Sequence, residues 1–173
     1  VNSIGAEGAS ALAAVLKETK ISELNLGENE LCGLDWQGRG TYTAEGITKL
    51  CEGLKESAVT SLNLANNALC GVKHGQGTYT AEGITKLCEG LKGSAVTSLK
   101  LDHNRLGPEG AAALAEGIKG NSTVTSLSLA GNGIGDEGAS SLAAVLKETK
   151  ITSLDLQYNS LTDQAKQAVK DAA

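Results

Sequence analysis

Arginine is nearly missing from this chain of 173 residues: Arg39 and Arg105 are the only two, and the net charge is −5. Proteins that grip phosphate backbones cluster Lys and Arg on one face. Here the lysines are spread along expected helix ends, where they complement the negative end of the helix dipole and stay solvated. Nucleic acid is therefore excluded as a partner class. Histidine occurs only as His74 and His103, neither with a triad partner at a recognisable spacing, so no acid–base centre is expected. Cys70 and His74 stand four apart with Cys32 as a further thiol, which matches no closed four-ligand zinc pattern. No apolar run approaches the ~20 residues of a membrane span. The glycines around Arg39 and Gln76 lack the Lys-Ser/Thr that completes a phosphate loop. No catalysis, cofactor, metal or membrane contact is expected.

What the chain does contain is one phrase written five times. The copies are Ile21-Leu24-Leu26-Asn29-Leu31, Val59-Leu62-Leu64-Asn67-Leu69, Val96-Leu99-Leu101-Asn104-Leu106, Val124-Leu127-Leu129-Asn132-Ile134 and Ile151-Leu154-Leu156-Asn159-Leu161, after a broken copy at Asn2 and Ile4. Alternation puts Leu24 and Leu26 on one face of a short strand and Asn25 on the other. Between copies the period changes: Ile47, Leu50, Cys51 and Leu54 recur at helical spacing, as do Ala111, Leu114, Ala115 and Ile118, and Ala139, Leu142, Ala143 and Leu146. Strand and helix alternate in one direction, so the strands pair in parallel. One unit cannot bury its apolar face alone, whereas stacked neighbours can. The expected fold is an α/β right-handed solenoid, with a parallel sheet on the concave face and helices on the convex face.

The five asparagines, Asn29, Asn67, Asn104, Asn132 and Asn159, fall where each strand ends and buried backbone groups lose their ladder partners. An amide side chain supplies both donor and acceptor, so a structural ladder is expected. Helix starts align as well. Gly5, Thr43, Thr80, Gly107 and Gly135 occupy the expected N-cap column, followed by Ala6, Ala44, Ala81, Pro108 and Asp136 at the first helical position, and then by a glutamate in every unit.

Written out, the phrase is LxxLxLxxNxL, which resembles the leucine-rich repeat family over essentially the whole chain. Asn2 to Asn29 is 27 positions, Asn104 to Asn132 is 28 and Asn132 to Asn159 is 27. With the helix entries at Gly107–Ala111 and Gly135–Ala139, this period resembles the ribonuclease-inhibitor-like subclass, which also includes innate-immune receptors and activators of the Ran GTPase. The resemblance implies the solenoid and a binding rather than an enzymatic role. It also raises, as alternatives, a regulator of a small GTPase using Arg39 or Arg105, and a structural spacer in a larger receptor.

The expected layout is a single domain over 1–173. It has a partial repeat at 1–20, repeats from about 21, 59, 96, 124 and 151, and a polar closing helix at about 162–173. The chain enters in mid-repeat without Met, so a fragment of a longer chain, or else a monomer, is expected. Cys51 and Cys88 share the column of Ala13, Ala115 and Ala143, and are expected as small core residues. Cys32 and Cys70 are equivalent positions of adjacent units, so a bridge is conceivable, but nothing signals secretion and reduced thiols are the expectation. The resemblance adds that the family's cysteine-rich members are cytosolic and reduced; a cytoplasmic location follows.

Two units are longer than the others. The extra residues, 32–42 and 70–79, lie between ladder and helix, and their glycines predict tight turns or a small hairpin on one rim. Three of the chain's four aromatics are here: Trp36, Tyr42 and Tyr79. Trp, Tyr and Arg dominate interface energies, which makes Trp36, Arg39, Tyr42, Lys73, His74 and Tyr79 candidate contacts for an unknown protein partner. Two bland alternatives stand beside this: Tyr42 and Tyr79 pack on each other to brace the inserts, and Trp36 packs rather than binds. The concave columns are plain: Glu23, Ser61, Ser98, Ser126 and Ser153, then Asn25, Asn63, Lys100, Ser128 and Asp155. Lys100, Asp102 and His103 form the one charged cluster there, and Tyr158 the one aromatic, so these four complete the candidate contact set. The expected function is a non-catalytic protein-interaction scaffold.

Overall fold

The computed structural model describes residues 2–173, and the five strand segments form one parallel sheet. They are β1 (Glu23–Asn25), β2 (Ser61–Asn63), β5 (Ser98–Lys100), β6 (Ser126–Ser128) and β7 (Ser153–Asp155), ordered β1-β2-β5-β6-β7. The register pairs the central leucines, Leu24 with Leu62, Leu62 with Leu99, Leu99 with Leu127 and Leu127 with Leu154. It also aligns Glu23, Ser61, Ser98, Ser126 and Ser153 on the open face, as the repeated phrase predicts. Two further strands, β3 (Val72–Lys73) and β4 (Gln76–Gly77), form a separate antiparallel hairpin.

Six helices pack behind the sheet: α1 (Gly5–Leu16), α2 (Glu45–Leu54), α3 (Glu82–Leu91), α4 (Gly107–Ile118), α5 (Gly135–Leu146) and α6 (Asp163–Ala172). Strands in a sheet sit about 4.8 Å apart and packed helices 8–10 Å apart, so the stack curves toward its strands. The apolar stripes expected on α2 and α4 are buried, with Ile47, Leu50, Leu54, Ala111, Leu114 and Ile118 at 2% exposure or less. Ala143 of α5 is only half-buried. Each fully buried Leu contributes about 1.5–3 kcal/mol. Neighbouring helices approach through small residues: a Cβ on Gly90 would overlap Cys51, and one on Gly117 would overlap Cys88. The thiol is therefore the knob and the next helix's glycine the socket. All four cysteines are buried and unbridged.

The asparagines form the expected spine. Asn104 Oδ1 accepts from the amides of Asn67 at 2.9 Å and Leu69 at 3.3 Å, while its Nδ2 donates to the carbonyls of Leu64 and Leu101, both at 3.0 Å. Asn67, Asn132 and Asn159 repeat the pattern. Asn29 is the exception. Its Nδ2 donates to the Gly27 carbonyl, but its buried Oδ1 meets no donor among the described residues. A second ladder, of hydroxyls, runs along the other end of the strands. Thr60, Thr97, Thr125 and Thr152 each donate to the backbone carbonyl of the residue one repeat earlier.

The N-cap column needs correction. Thr43 and Thr80 stand one residue before the N-caps, which are Ala44 and Ala81, and their hydroxyls accept from the amides of Glu45 and Glu82, the first helical residues. At Gly5, Gly107 and Gly135 no side chain caps, and the helix already begins at the glycine. These glycines take φ of +60° to +63°, and their amides donate to the carbonyls of Asn29, Asn132 and Asn159 in the following repeat. The tie is between repeats, not within the helix.

Candidate functional site: a step in the loop rim

Both inserts fold as compact loops on the edge where strands give way to helices. In the second, His74 and Gly75 take φ of +50° and +78° between β3 and β4, the positive-φ pair that a two-residue hairpin favours. In the first, Leu34 and Gly40 form a single antiparallel bridge, and Asp35 Oδ1 accepts from the amides of Gln37 at 2.8 Å and Arg39 at 2.9 Å. These hydrogen bonds hold the Asp35 carboxyl below its ordinary range, the Arg39 amide being the largest cause. Arg39 also closes onto Asp35 Oδ2 at 2.9 Å. The inserts lie side by side: a Cβ on Gly38 would run into the Lys73 carbonyl and the Gln76 Cβ.

The tyrosines brace this terrace in a way the sequence reading did not anticipate. Instead of a stacked pair, each reaches forward to the next repeat. Tyr42 donates to the Leu69 carbonyl at 3.1 Å and Tyr79 to the Leu106 carbonyl at 2.6 Å. Their hydroxyls sit where a Cβ on Gly83 or Gly110 would go. Burial, with Cys32 and Cys70 close by, raises both phenols above their ordinary range. Cys32 and Cys70 lie beneath, each pushed up to about 12 chiefly by burial.

Repeats with inserts are followed by repeats without them, so the rim drops by one insert height after Tyr79. A groove of about 670 Å³ lies at the foot of this step, walled by Tyr79, Arg105 and Pro108. Beside it a cleft of about 300 Å³ lies between the hairpin and the next repeat, lined by Lys73, His74, His103 and Arg105. Three of these were singled out separately from sequence. The structure brings them together and adds Arg105, which sequence reading linked only to GTPase chemistry. The missed signal is positional, for His103 and Arg105 flank Asn104 at φ of +56° and +58°. The same two flanking positions are left-handed in every full repeat, with glycine at both in Gly131 and Gly133.

The remaining candidates separate. Trp36 is 62% exposed and Tyr158 83% exposed, and Tyr158 lies two repeats beyond His103 in the column that also holds Gly131. Lys100 and Asp102 pair at 3.4 Å. Asp102 is buried, however, its carboxylate accepting from the Ser128 hydroxyl and the Ala130 amide. It organises the sheet face and is not a free contact. Lys73, too, is buried, at 7% exposure, and lines the cleft. Among the described residues no helix is long and apolar enough to cross a membrane, and no group of three metal-ligating side chains forms.

Comparison with known proteins agrees with this architecture. Residues 95–115, 120–143 and 147–165 match a family model described as leucine-rich repeat; both inserts lie outside the matched stretches. No curated protein matches the sequence. The fold is similar to that of actin-binding site 2 of leiomodin-1, with a TM-score of 0.70, 18% identity, and coverage of 95% of this chain and 84% of that one. It is also similar to the tropomodulin C-terminal domain of Caenorhabditis elegans, with a TM-score of 0.63, 17% identity, and coverage of 95% and 90%. The leucine-rich repeat-containing protein LegL7 of Legionella pneumophila gives a TM-score of 0.51 at 22% identity, covering 95% of this chain and 57% of that one. At these identities the likeness is one of fold. The chain has the fold of a leucine-rich-repeat solenoid, and residues 95–115, 120–143 and 147–165 match that family's repeat.

Proposed function

We propose that this protein is a non-catalytic interaction module that engages a protein partner across the insert-bearing rim and the adjoining concave face. The observation that carries the reading is Trp36, an exposed indole on a loop whose turn is fixed by Asp35 and whose flank packs on the second insert. A large aromatic on a backbone already fixed offers contact area without ordering of the loop on binding, the property of an interface anchor. Tyr42 and Tyr79 act in this reading as braces for the rim. Lys100, Tyr158 and His103 supply the polar and aromatic contacts of a shallow concave surface, consistent with broad rather than deep engagement. The 27–28-residue period and the glycine-led helix entries support the ribonuclease-inhibitor-like subclass. One fold neighbour is named as an actin-binding site, which makes actin a partner to test. Arg39 is held by Asp35, so the GTPase alternative draws no support from it.

The test is affinity capture with the purified protein, followed by titration of the captured partner. Trp36→Ala is expected to weaken binding by about tenfold or more, the hot-spot range. Equal binding by wild type and the Trp36→Ala/Arg39→Ala variant would refute the rim as the contact.

A further inference from the structure

We infer that the cleft at the foot of the rim step is an oxyanion site that takes a phosphate monoester carried on a segment of a protein partner. This deepens the interaction-module reading and rests on it for the nature of the partner.

The net charge of the chain is −5, yet no carboxylate lines this cleft. Lys73 and His74 come from one wall, the hairpin, and His103 and Arg105 from the other, the turn around Asn104. None of the four forms an ion pair among the described residues, where Lys49, Lys86, Lys100, Lys119, Lys166 and Arg39 all do. Lys73 is the telling member. Among the described residues it is the one buried lysine, 7% exposed, it has no ion-pair partner, and it lines the cleft. Its stem is sheltered while its amine is not among the buried unpartnered atoms, so the charge is held at the cleft and stays open to a ligand. The hairpin keeps it there: its backbone is pinned by the Gln76 pairing, and its carbonyl faces Gly38 of the first insert.

The opposite wall is equally prepared. His103 lies over Gly131, so closely that any Cβ there would overlap the ring. Arg105, exposed and left-handed, is the partition between this cleft and the larger groove. A guanidinium matches a phosphate in a two-pronged, charge-assisted contact, and a phosphate ester offers three strong acceptor oxygens at close to two negative charges. The groove beyond Arg105, walled by Tyr79 and Pro108, gives the residues flanking a phosphorylated side chain somewhere to lie. The overall negative charge opposes a membrane surface or nucleic acid at long range, which favours a phosphate presented by a protein.

The experiment is a nuclear magnetic resonance titration of the purified chain with inorganic phosphate at constant ionic strength, with chloride as control. Saturable shifts are expected at residues 72–74 and 103–105, and Arg105→Ala is expected to weaken binding by about tenfold or more. Lys73→Met should do the same with little change in the thermal midpoint, since it keeps the sheltered stem and removes only the charge. Lost phosphate affinity at an unchanged midpoint separates a ligand site from a merely structural lysine. A short phosphoserine peptide is expected to bind more tightly than inorganic phosphate, and phosphatidylglycerol vesicles to leave the protein in solution. Non-saturating shifts, or wild-type phosphate affinity in Arg105→Ala, would overturn the site. Arg105-dependent retention on vesicles without a gain from the peptide would overturn its assignment to a protein-borne phosphate. Loss of the phosphate effect leaves Trp36-dependent capture standing, and absence of capture leaves the phosphate titration readable, so the two ideas fail separately.

Discussion

A single asparagine side chain in this fold ties together the backbones of two adjacent repeats. Asn104 accepts from two amides of the preceding repeat and donates to carbonyls of that repeat and its own. Truncating it strands those groups in a dry interior, so Asn104→Ala is expected to cost about 1–3 kcal/mol by denaturant unfolding. Asn29→Ala should cost less, because Asn29 Oδ1 already lacks a donor. Cysteine offers a second residue-scale expectation. Burial raises Cys32, Cys51, Cys70 and Cys88 from 9.0 to about 12. Native thiols should therefore resist alkylation at pH 8 and react fully in denaturant. The sign for stability follows. Between 9 and 12 the unfolded thiols lose protons that the folded ones keep, so stability is intact below pH 9 and falls as pH rises through that window. A urea midpoint unchanged from pH 8 to pH 11 would contradict this.

At the scale of elements, the strand register and the spine were readable from sequence because both follow a period. Five copies in phase leave little freedom in which leucine meets which. The inserts were readable as Gly-rich departures from that period, and their hairpin character followed from turn chemistry. What sequence could not supply was their neighbours. Lys73 alternates with Val72 along a two-residue strand, and only the packing of the first insert against the hairpin decides that the lysine is the buried one. Likewise Asp102 looks like a free charge until Ser128 and Ala130 are found on its carboxylate. Arg105 joins His74 only through the distance between two repeats.

The closing element carries its own expectation. Asp136, at the start of α5, accepts from the amide and hydroxyl of Thr162, the cap of α6, and these bonds hold its carboxyl below the ordinary range. A depressed carboxyl stabilises above its unfolded value of about 3.9 and ceases to do so as pH falls through its folded one. Exchange of the α6 amides should therefore quicken below about pH 4 in wild type. In Asp136→Asn that acid-dependent step should disappear; an identical acid response in both proteins would argue against the tie.

For the molecule as a whole, the proposed contact rim is set apart from the ties that hold the repeats together. The leucine core, the asparagine spine and the threonine ladder hold repeat to repeat. The inserts add a terrace over two repeats only, and its abrupt end creates the groove and the cationic cleft. Nothing in a uniform solenoid would make such a step. All of this depends on neighbouring repeats being locked together through buried amides. The most direct measurement is hydrogen exchange of the asparagine side-chain amides, followed residue by residue. The side-chain NH₂ groups of Asn67, Asn104, Asn132 and Asn159 are predicted to exchange far more slowly than that of Asn63, which lies on the open face. Exchange of all five at the rate of a solvated amide would contradict the stacked architecture and everything built on it.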